Sequence, residues 1–378
     1  MAFTAVTLSP PLEELRQQVR DFLAEELPKS DKKPGLGMMA GHSPEFSRKL
    51  AERGWVGMAI PEEYGGGGAT VLERFVVVEE LLAAGAPLTA HWISERQTAP
   101  SLLKFGTEEQ RQHFLPKIAA GEVYFSLGMS EPDSGSDLAS VRTRATKVDG
   151  GYLVNGTKIW TSGAHVNDYF AVLCRTSEGE TRHEGLSQLI IDLRSEGVQV
   201  SPIKLLDGNA DFNEVVLEDV FVPDEMLLGD EGTGWQQVTA ELAHERSSPD
   251  RYLSTFTVFK AYLDEHPEWR ESERAVDAVG KMVSQYHALR QMSVSIAASL
   301  QAGDAPAVEA SMLKDMGTLF EQETVEVLRS LVDLEPRRDA DSEFERLLGE
   351  AILTAPGFTL RGGTNEILNM IIARELTK

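Results

Sequence analysis

Hydrophobic residues recur with two different periods along this chain, and the period changes twice. In the first stretch the apolar residues of LEELRQQVRDFLAEEL fall on one face at helical spacing, namely Leu12, Leu15, Val19, Phe22 and Leu23. SPEFSRKLAERGW and TEEQRQHFLPKIAAGE each begin with a residue type that caps helices. We therefore predict helices from residue 12 to about residue 121, interrupted by a loop at PEEYGGGG.

The period becomes two between about residues 123 and 228. VRTRATKV alternates, DGG indicates a turn, and YLVNGTKIWTS, DYFAVLCRT, SQLIIDL and NEVVLEDVFVP follow as strand-like segments. Within YLVNGTKIWTS, the Asn155-Gly156 dipeptide predicts a tight hairpin turn, because both central residues of such a turn need positive φ. This stretch is predicted to form a β-domain.

Helical spacing returns at Gly234 and continues to the end of the chain in three long segments and a shorter one from Glu366 to Leu376. The predicted fold class is α+β with three domains. Residues 1–122 form an N-terminal all-α domain, residues 123–230 a middle β-barrel-like domain, and residues 231–378 a C-terminal four-helix bundle.

Charge and composition exclude several classes of partner and site. The chain has 36 basic and 60 acidic residues among 378, a net charge of −24. This balance argues against nucleic acid or an anionic membrane as the main partner. Cys174 is the only cysteine and the eight histidines are scattered, so we predict neither a disulfide framework nor a metal site. No stretch approaches the ~20 apolar residues of a membrane span and no signal peptide is evident, so a cytoplasmic location is expected.

Several strings occur together in a specific order: LAERGWVGMAIPEEYGG, FGTEEQRQHFLPKIAAGE, MSEPDSGSD, YLVNGTKIWTSG and VFVPDEMLLGDEGTGW. On these strings the chain resembles the acyl-CoA dehydrogenases over nearly its whole length. The resemblance implies bound FAD, an acyl-CoA substrate and α,β-desaturation of the thioester. It also implies an electron-transfer flavoprotein as electron acceptor and assembly into a homotetramer or a heterotetramer with a paralogous chain.

The resemblance assigns the cofactor site to two segments. It implies that Ser130 donates to the pyrimidine end of the flavin, that Trp160 packs beside the ring system, and that the Ser162 hydroxyl reaches N5. The other cofactor residues that it implies are Leu127, Met129, Gly135, Ser136, Thr161, Thr364 and Glu366. Ser136 also lies where the family holds cofactor and CoA together. A polar turn followed by an ordinary hairpin tryptophan is the alternative interpretation of the two segments.

Desaturation removes a proton from Cα and a hydride from Cβ, so it needs a base, donors to the thioester oxygen and a flavin. TLRGGTNEIL aligns Gly362 with the glutamate that many family members use as base. Isovaleryl- and long-chain acyl-CoA dehydrogenases instead carry a glutamate directly before an arginine on a bundle helix. LAHERSS matches that pattern, so we predict Glu245 as the base and the backbone N–H of Gly362 as a donor to the thioester carbonyl. A surface glutamate on an amphipathic helix is the alternative for Glu245.

By the same resemblance, Arg246 and Gly363 are predicted to contact the substrate. Arg361 stands where an aromatic residue is common. Two interpretations of Arg361 are open, a contact to a polar or acidic acyl group and a solvent-exposed arginine.

Two family features are missing. AYLDEHPEWRES replaces an Arg-x-x-Phe-Gly segment, and LVDLEPRRDADSEFERLLGE replaces a glycine-rich loop; both normally serve the FAD of a neighbouring subunit. How the pyrophosphate and adenine ends are held is therefore open. Similar losses occur in the heteromeric dehydrogenases that shorten steroid side chains, and a bulky, branched or cyclic acyl group would suit Gly362.

Three alternatives to a complete dehydrogenase remain. The chain could be a half-site or non-catalytic subunit, a flavin monooxygenase on the same scaffold, or a helical scaffold without cofactor. The acyl group, its carrier (CoA or a carrier protein), and homo- or hetero-oligomeric assembly are left open by the sequence.

Overall fold

The computed structural model describes residues 3–30, 32–246 and 248–377, and for residues 242–245 it describes the main chain alone. Contacts divide the chain into two compact units. The sheet unit contains Ser43–Ala69 and Thr89–His244; the helical unit contains the residues up to His42, Thr70–Leu88 and the residues from Glu245 onward.

The helices of the described residues are, in chain order, α1 Pro10–Glu26, α2 Pro44–Glu52, α3 Val71–Ala83, α4 Thr89–Ile93, α5 Ala99–Phe105, α6 Glu108–Ala119, α7 Gly234–Glu245, α8 Phe256–Glu265, α9 Glu273–Gln301, α10 Ala307–Leu331, α11 Glu343–Thr354 and α12 Asn365–Leu376. A π-helical turn, Ser94–Thr98, joins α4 to α5. The caps read from the sequence are present, since Ser43 accepts from the Phe46 N–H and Thr107 forms a capping box with Gln110.

The sheet unit is built around one sheet whose strands are β1 Phe125–Gly128, β2 Arg144–Val148, β3 Gly151–Ser162, β4 Tyr169–Arg175, β5 Leu186–Asp192, β6 Val198–Ile203, β7 Phe212–Pro223 and β8 Leu227–Leu228. Their order is β6-β7-β3-β2-β4-β5-β8, and β1 pairs in parallel with β4. Almost every residue of β4 and β5 is buried. β4 is accordingly a nearly continuous apolar run, whereas β5 also buries the polar residues Ser187 and Gln188. Helix α7 packs Val238 against the sheet residues Leu173 and Leu186.

The prediction of a hairpin turn at Asn155-Gly156 is wrong. Both residues lie inside β3, where the pairing with β7 shifts register between Val154 and Gly156. The Asn155 side chain bonds the Asp219 main chain and side chain at 2.9 Å each, and a Cβ on Gly156 would lie 2.5 Å from the Thr143 hydroxyl. The extra residue belongs to β7, where Glu218 and Asp219 lie opposite Asn155, so the dipeptide faces a bulge in the neighbouring strand and forms no turn. The turn between β2 and β3 falls at Gly150, which has φ +75°.

In the helical unit, α3 packs against α1 and α9, and α10 packs against α9 and α12. Arg16 on α1 joins two buried carboxylates of α3, Glu79 and Glu80, while Arg290 on α9 also bonds Glu79. These contacts explain why α1 is amphipathic yet buries an arginine among its apolar residues.

The order of helices, sheet and helices that the sequence predicts is confirmed. The boundaries 1–122, 123–230 and 231–378 stay a prediction, because the N-terminal helices are distributed between both compact units. Within the described residues, no helix is both long enough and apolar enough to cross a membrane.

Candidate active site

The turn after β1 carries most of the predicted cofactor residues. Leu127, Met129 and Ser130 are half-buried, and beyond them Glu131 and Ser134 exchange two main-chain hydrogen bonds of 2.8 and 3.0 Å that tighten the turn. Gly135 and Ser136 are exposed, and a Cβ on Gly135 would meet no described atom within 4 Å. The turn thus presents main chain and a hydroxyl to open space, as a ligand cradle requires.

A buried ion pair lies beneath this turn. The ammonium of Lys158 on β3 is 2.8 Å from Glu131 Oε1 and 3.1 Å from the Met129 carbonyl, and Lys158 is fully buried. Glu131 also accepts from the N–H groups of Arg142 (2.6 Å) and Thr143 (2.8 Å). One carboxylate therefore closes both ends of the loop that contains the PDSGSD segment.

The electrostatics of this pair depend on burial. Burial alone would raise the pKa of Glu131, but the charge of Lys158 and the hydrogen bonds from Lys158, Thr143 and Arg142 outweigh it, so the pKa lies below its ordinary value. Sequence reasoning missed both residues; Lys158 was visible as a basic residue within the β3 segment, whereas Glu131 lies among the other polar residues of the turn.

Trp160 is held in an unusual conformation two residues after Lys158. Its φ is +61°, and this left-handed conformation costs about 1–2 kcal/mol for any residue other than glycine. The side chain is 53% exposed. It lies where the β3–β7 register shifts, between Lys158 and Thr161. Strain combined with an exposed aromatic face is typical of a site that receives a flat ligand.

The two residues after Trp160 differ in exposure. Thr161 is fully buried and its carbonyl accepts from Asn213 Nδ2 at 2.9 Å, so its side chain packs inside the sheet. Ser162 is half-buried and its carbonyl accepts from the Ser126 hydroxyl at 2.8 Å. The open turn, the exposed indole and Ser162 fit a cofactor with a planar ring system, and the roles of the individual residues stay predictions.

Helix α7 carries the predicted base at its last residue. α7 ends at Glu245, whose side chain lies outside the described residues, so its direction stays a prediction. One turn earlier, Glu241 is buried and accepts hydrogen bonds from Ser101 Oγ (2.7 Å) and Gln188 Nε2 (3.3 Å). Glu241 is thus a buried carboxylate on the same helix as the predicted base.

The glycine loop before α12 is defined here as residues 361–364. Gly362 and Gly363 have φ values of +69° and +90°, which favour glycine. Arg246 is 9% exposed, and its Nε donates to the Gly362 carbonyl at 3.1 Å. A Cβ on Gly363 would lie 3.2 Å from Arg246 Nη2. The glycines are therefore required by main-chain conformation and by the close approach of Arg246, beyond any space they leave for a ligand.

Of the two interpretations of Arg361, the solvent-exposed arginine is wrong, because the side chain is only 20% exposed. Its Nη2 atom lies 3.0 Å from Oε2 of Glu321, a fully buried residue of α10, and 2.8 Å from the Ser254 hydroxyl. Burial raises the pKa of Glu321, and the charge of Arg361 and the hydrogen bonds from Ser254 oppose that rise. The side chain turns inward because a buried carboxylate needs a cationic partner.

The remaining predicted residues lie at the start of α12. Thr364 is the N-cap residue and half-buried, whereas Glu366 is exposed in the first turn, where an acidic side chain favours the helix dipole. Between them, buried Asn365 accepts from the Lys314 ammonium at 2.7 Å, which fixes the start of α12 on α10. Thr364 and Glu366 therefore stand on an anchored helix end.

Comparison with known families identifies the class of protein. Residues 9–122 match the acyl-CoA dehydrogenase N-terminal domain and residues 126–220 match the acyl-CoA dehydrogenase middle domain. The acyl-CoA dehydrogenase FadE26 of Mycobacterium tuberculosis is 32% identical over 399 residues, which cover 97% of this chain and 96% of that protein. The chain belongs to the acyl-CoA dehydrogenase family, whose members are FAD-binding oxidoreductases that act on CH–CH groups.

Solved structures agree with this assignment. The Tcur3481-Tcur3483 steroid acyl-CoA dehydrogenase has a TM-score of 0.85 and 26% identity, and the match covers 99% of this chain and 98% of that one. The ChsE4-ChsE5 complex from Mycobacterium tuberculosis has a TM-score of 0.83 and 29% identity, with 98% of each chain covered. The predicted family and fold are thereby confirmed.

Proposed function

We propose that this chain is an FAD-dependent dehydrogenase that desaturates an acyl-CoA thioester between Cα and Cβ. The observation that carries the proposal is the hydrogen bond from Arg246 Nε to the Gly362 carbonyl. It ties the residue that follows Glu245 directly to the glycine loop. The predicted base and the predicted oxygen donor thus belong to two segments in contact within one compact unit.

The chemistry assigns one task to each group. The carboxylate of Glu245 takes the proton from Cα, and the Gly362 N–H donates to the thioester oxygen as negative charge develops there. Arg246 holds the glycine loop and contacts the substrate together with Gly363. Bound FAD would supply the acceptor for the hydride that leaves Cβ.

Most of the proposed cofactor residues belong to the sheet unit. Ser130, Ser136 and Ser162 offer hydroxyls, Trp160 covers the ring system, and Leu127, Met129, Gly135 and the Thr161 main chain line the site. Thr364 and Glu366 would contact the adenosine part. An electron-transfer flavoprotein would reoxidise the enzyme.

The substrate would carry a bulky, branched or cyclic acyl group. A glycine at 362 leaves room where many family members have a glutamate. The chain is also similar to FadE26, Tcur3481-Tcur3483 and ChsE4-ChsE5, and the name of one of these describes a steroid dehydrogenase. A second carboxylate at 362 would also repel Glu245, which is a physical reason for the glycine.

The decisive experiment combines an acyl-CoA panel with two glutamate variants. Purified protein should be yellow, and its flavin absorption should bleach with the correct acyl-CoA. Glu245→Gln should keep the flavin and lose about 10²–10⁴ in rate, because a positioned base contributes that much. Glu241→Gln is the control on the same helix and should change the rate less than about tenfold. An active Glu245→Gln enzyme would contradict the assignment.

A second candidate is a subunit that shares its site with a paralogous chain. Two observations favour it, namely the absence of the Arg-x-x-Phe-Gly segment and of the glycine-rich loop, and the likeness to structures whose names pair two chains. Under this proposal the chain purified alone would be colourless. Co-expression with a paralogue from the same organism would then restore FAD and desaturation, whereas full FAD content in the isolated chain would refute it.

A further inference from the structure

A buried ion pair sits directly behind the glycine loop. Glu321 lies in the middle of α10 and is fully buried, and its Oε1 accepts from the Ser254 N–H at 2.7 Å. Its Oε2 accepts from Arg361 Nη2 at 3.0 Å. Arg361 is the residue before Gly362, so the pair connects the interior of the helical unit to the loop.

The Arg361 guanidinium has further partners that fix its orientation. Nη2 also lies 2.8 Å from the Ser254 hydroxyl and 3.2 Å from the Asp250 carbonyl, and the guanidinium carbon lies 5.1 Å from the centre of the Phe358 ring. All three hydrogen bonds run through Nη2, and the flat guanidinium also lies over the Phe358 ring. A lysine ammonium could take the hydrogen bonds but has no planar group to cover that ring.

Stability alone does not account for this pair. A buried ion pair is often no more stabilising than apolar residues of similar volume, because the charges lose their hydration. What Arg361 and Glu321 add is a fixed position for the residue directly before Gly362, whereas the Asn365–Lys314 hydrogen bond fixes the other end of the loop. Gly362 and Gly363 adopt φ values of +69° and +90°. Glycine has large conformational freedom and no side chain that could pack, so these residues do not fix their own conformation.

The loop is held from both sides. Arg246 Nε donates to the carbonyl of Gly362. Arg361, the residue directly before Gly362, is anchored to Glu321 by its own side chain. The peptide N–H of Gly362 lies between these two anchors in the chain. Its direction is therefore set by two arginines rather than by the glycines themselves.

We propose that Arg361 and Glu321 are positioning residues that fix the main chain of Gly362 for the thioester oxygen. This inference rests on the proposed function. A donor that is displaced by ~1 Å can cost ~10²-fold in rate even when the substrate still binds. The prediction is therefore a loss in kcat with little change in KM.

The test uses Arg361→Met, Arg361→Lys and Glu321→Gln, with Glu323→Gln as the control from the exposed face of the same helix. Arg361→Met should lower kcat by ~10–100-fold with KM within about threefold. Arg361→Lys should rescue only part of the loss, because lysine restores the charge without the planar group that covers the Phe358 ring. Glu321→Gln should have a smaller effect, since its one amide oxygen can still accept from Arg361 while the hydrogen bond from the Ser254 N–H is lost. Glu323→Gln should have none.

A second measurement does not depend on activity. Amide hydrogen exchange of residues 358–364 should accelerate at least about tenfold in Arg361→Met and remain unchanged in Glu323→Gln, because loss of the anchor lowers the free energy of local opening. If Arg361→Met does not fold, Arg361→Met combined with Glu321→Gln removes both charges and leaves no uncompensated one. That double variant should show the same exchange pattern.

The outcomes separate the two proposals. Unchanged exchange in the loop, or unchanged kcat in a variant whose loop exchanges faster, would overturn the positioning role. A wild-type protein that oxidises no acyl-CoA would overturn the proposed function, and the exchange experiment would still decide whether the pair anchors the loop.

Discussion

The Lys158–Glu131 ion pair is the best test of how the cofactor turn is held, and Lys158→Met is the perturbation. Lys158 is fully buried, Glu131 is 8% exposed, and the charged atoms are 2.8 Å apart. Removal of one partner leaves a buried charge without compensation, which costs about 3–5 kcal/mol. Loss of the hydrogen bond to the Met129 carbonyl adds about 1 kcal/mol.

The assay is denaturant unfolding at neutral pH, compared between Lys158→Met, Glu131→Gln and the double variant. Residues in direct contact couple by about 0.5–3 kcal/mol, so the double variant should lose less than the sum of the two single losses. Flavin content should fall in parallel, because Ser130 lies between Met129 and Glu131 in the turn that the pair holds.

Lys147→Met on the neighbouring strand β2 is the matched control. Lys147 pairs with Asp224, but both side chains are about half exposed (54% and 51%), so its loss should cost less than about 1 kcal/mol. A loss below about 1 kcal/mol for Lys158→Met, or additive single losses, would refute the view that the buried pair supports the turn.

Three further predictions concern single sites. Glu131→Gln should lower the free energy of unfolding most above about pH 4.5, and the difference from wild type should shrink as the pH falls, because the folded-state pKa of Glu131 is below its unfolded value. Denaturation at several pH values would measure this difference. Trp160→Gly should alter the free energy of unfolding by no more than about 1 kcal/mol, since glycine accepts φ +61° without strain, while flavin absorbance per protein falls. Burial raises the pKa of the Cys174 thiol to about 12, so a thiol reagent should label it only after denaturation, and rapid labelling of native protein would contradict this.

The sequence was sufficient for most elements because local signals agreed with tertiary packing. The Ser43 and Thr107 caps, the amphipathic face of α1 and the alternation of β2 are each visible in the chain, and each appears in the structure. Asn155-Gly156 was misread because its turn preference is local, whereas the close approach of Thr143 and the contacts to Asp219 are not.

The candidate active-site residues could be predicted only where a family motif contains the residue type that the reaction needs. The resemblance nominated Ser130, Trp160 and Gly362, but nothing in the sequence indicated that Arg361 turns inward, because Glu321 lies 40 residues earlier in the chain. Buried polar pairs form between distant segments, and periodicity within one segment cannot reveal them.

The separation of Glu321 from Arg361 has a consequence for biosynthesis. A ribosome makes the α10 carboxylate forty residues before it makes the cation that neutralises it. Until that cation emerges, α10 cannot bury this face without enclosing a lone charge. Nascent chains stalled before residue 361 should therefore remain protease-sensitive around α10, and the helical unit should close only after the glycine loop has been translated.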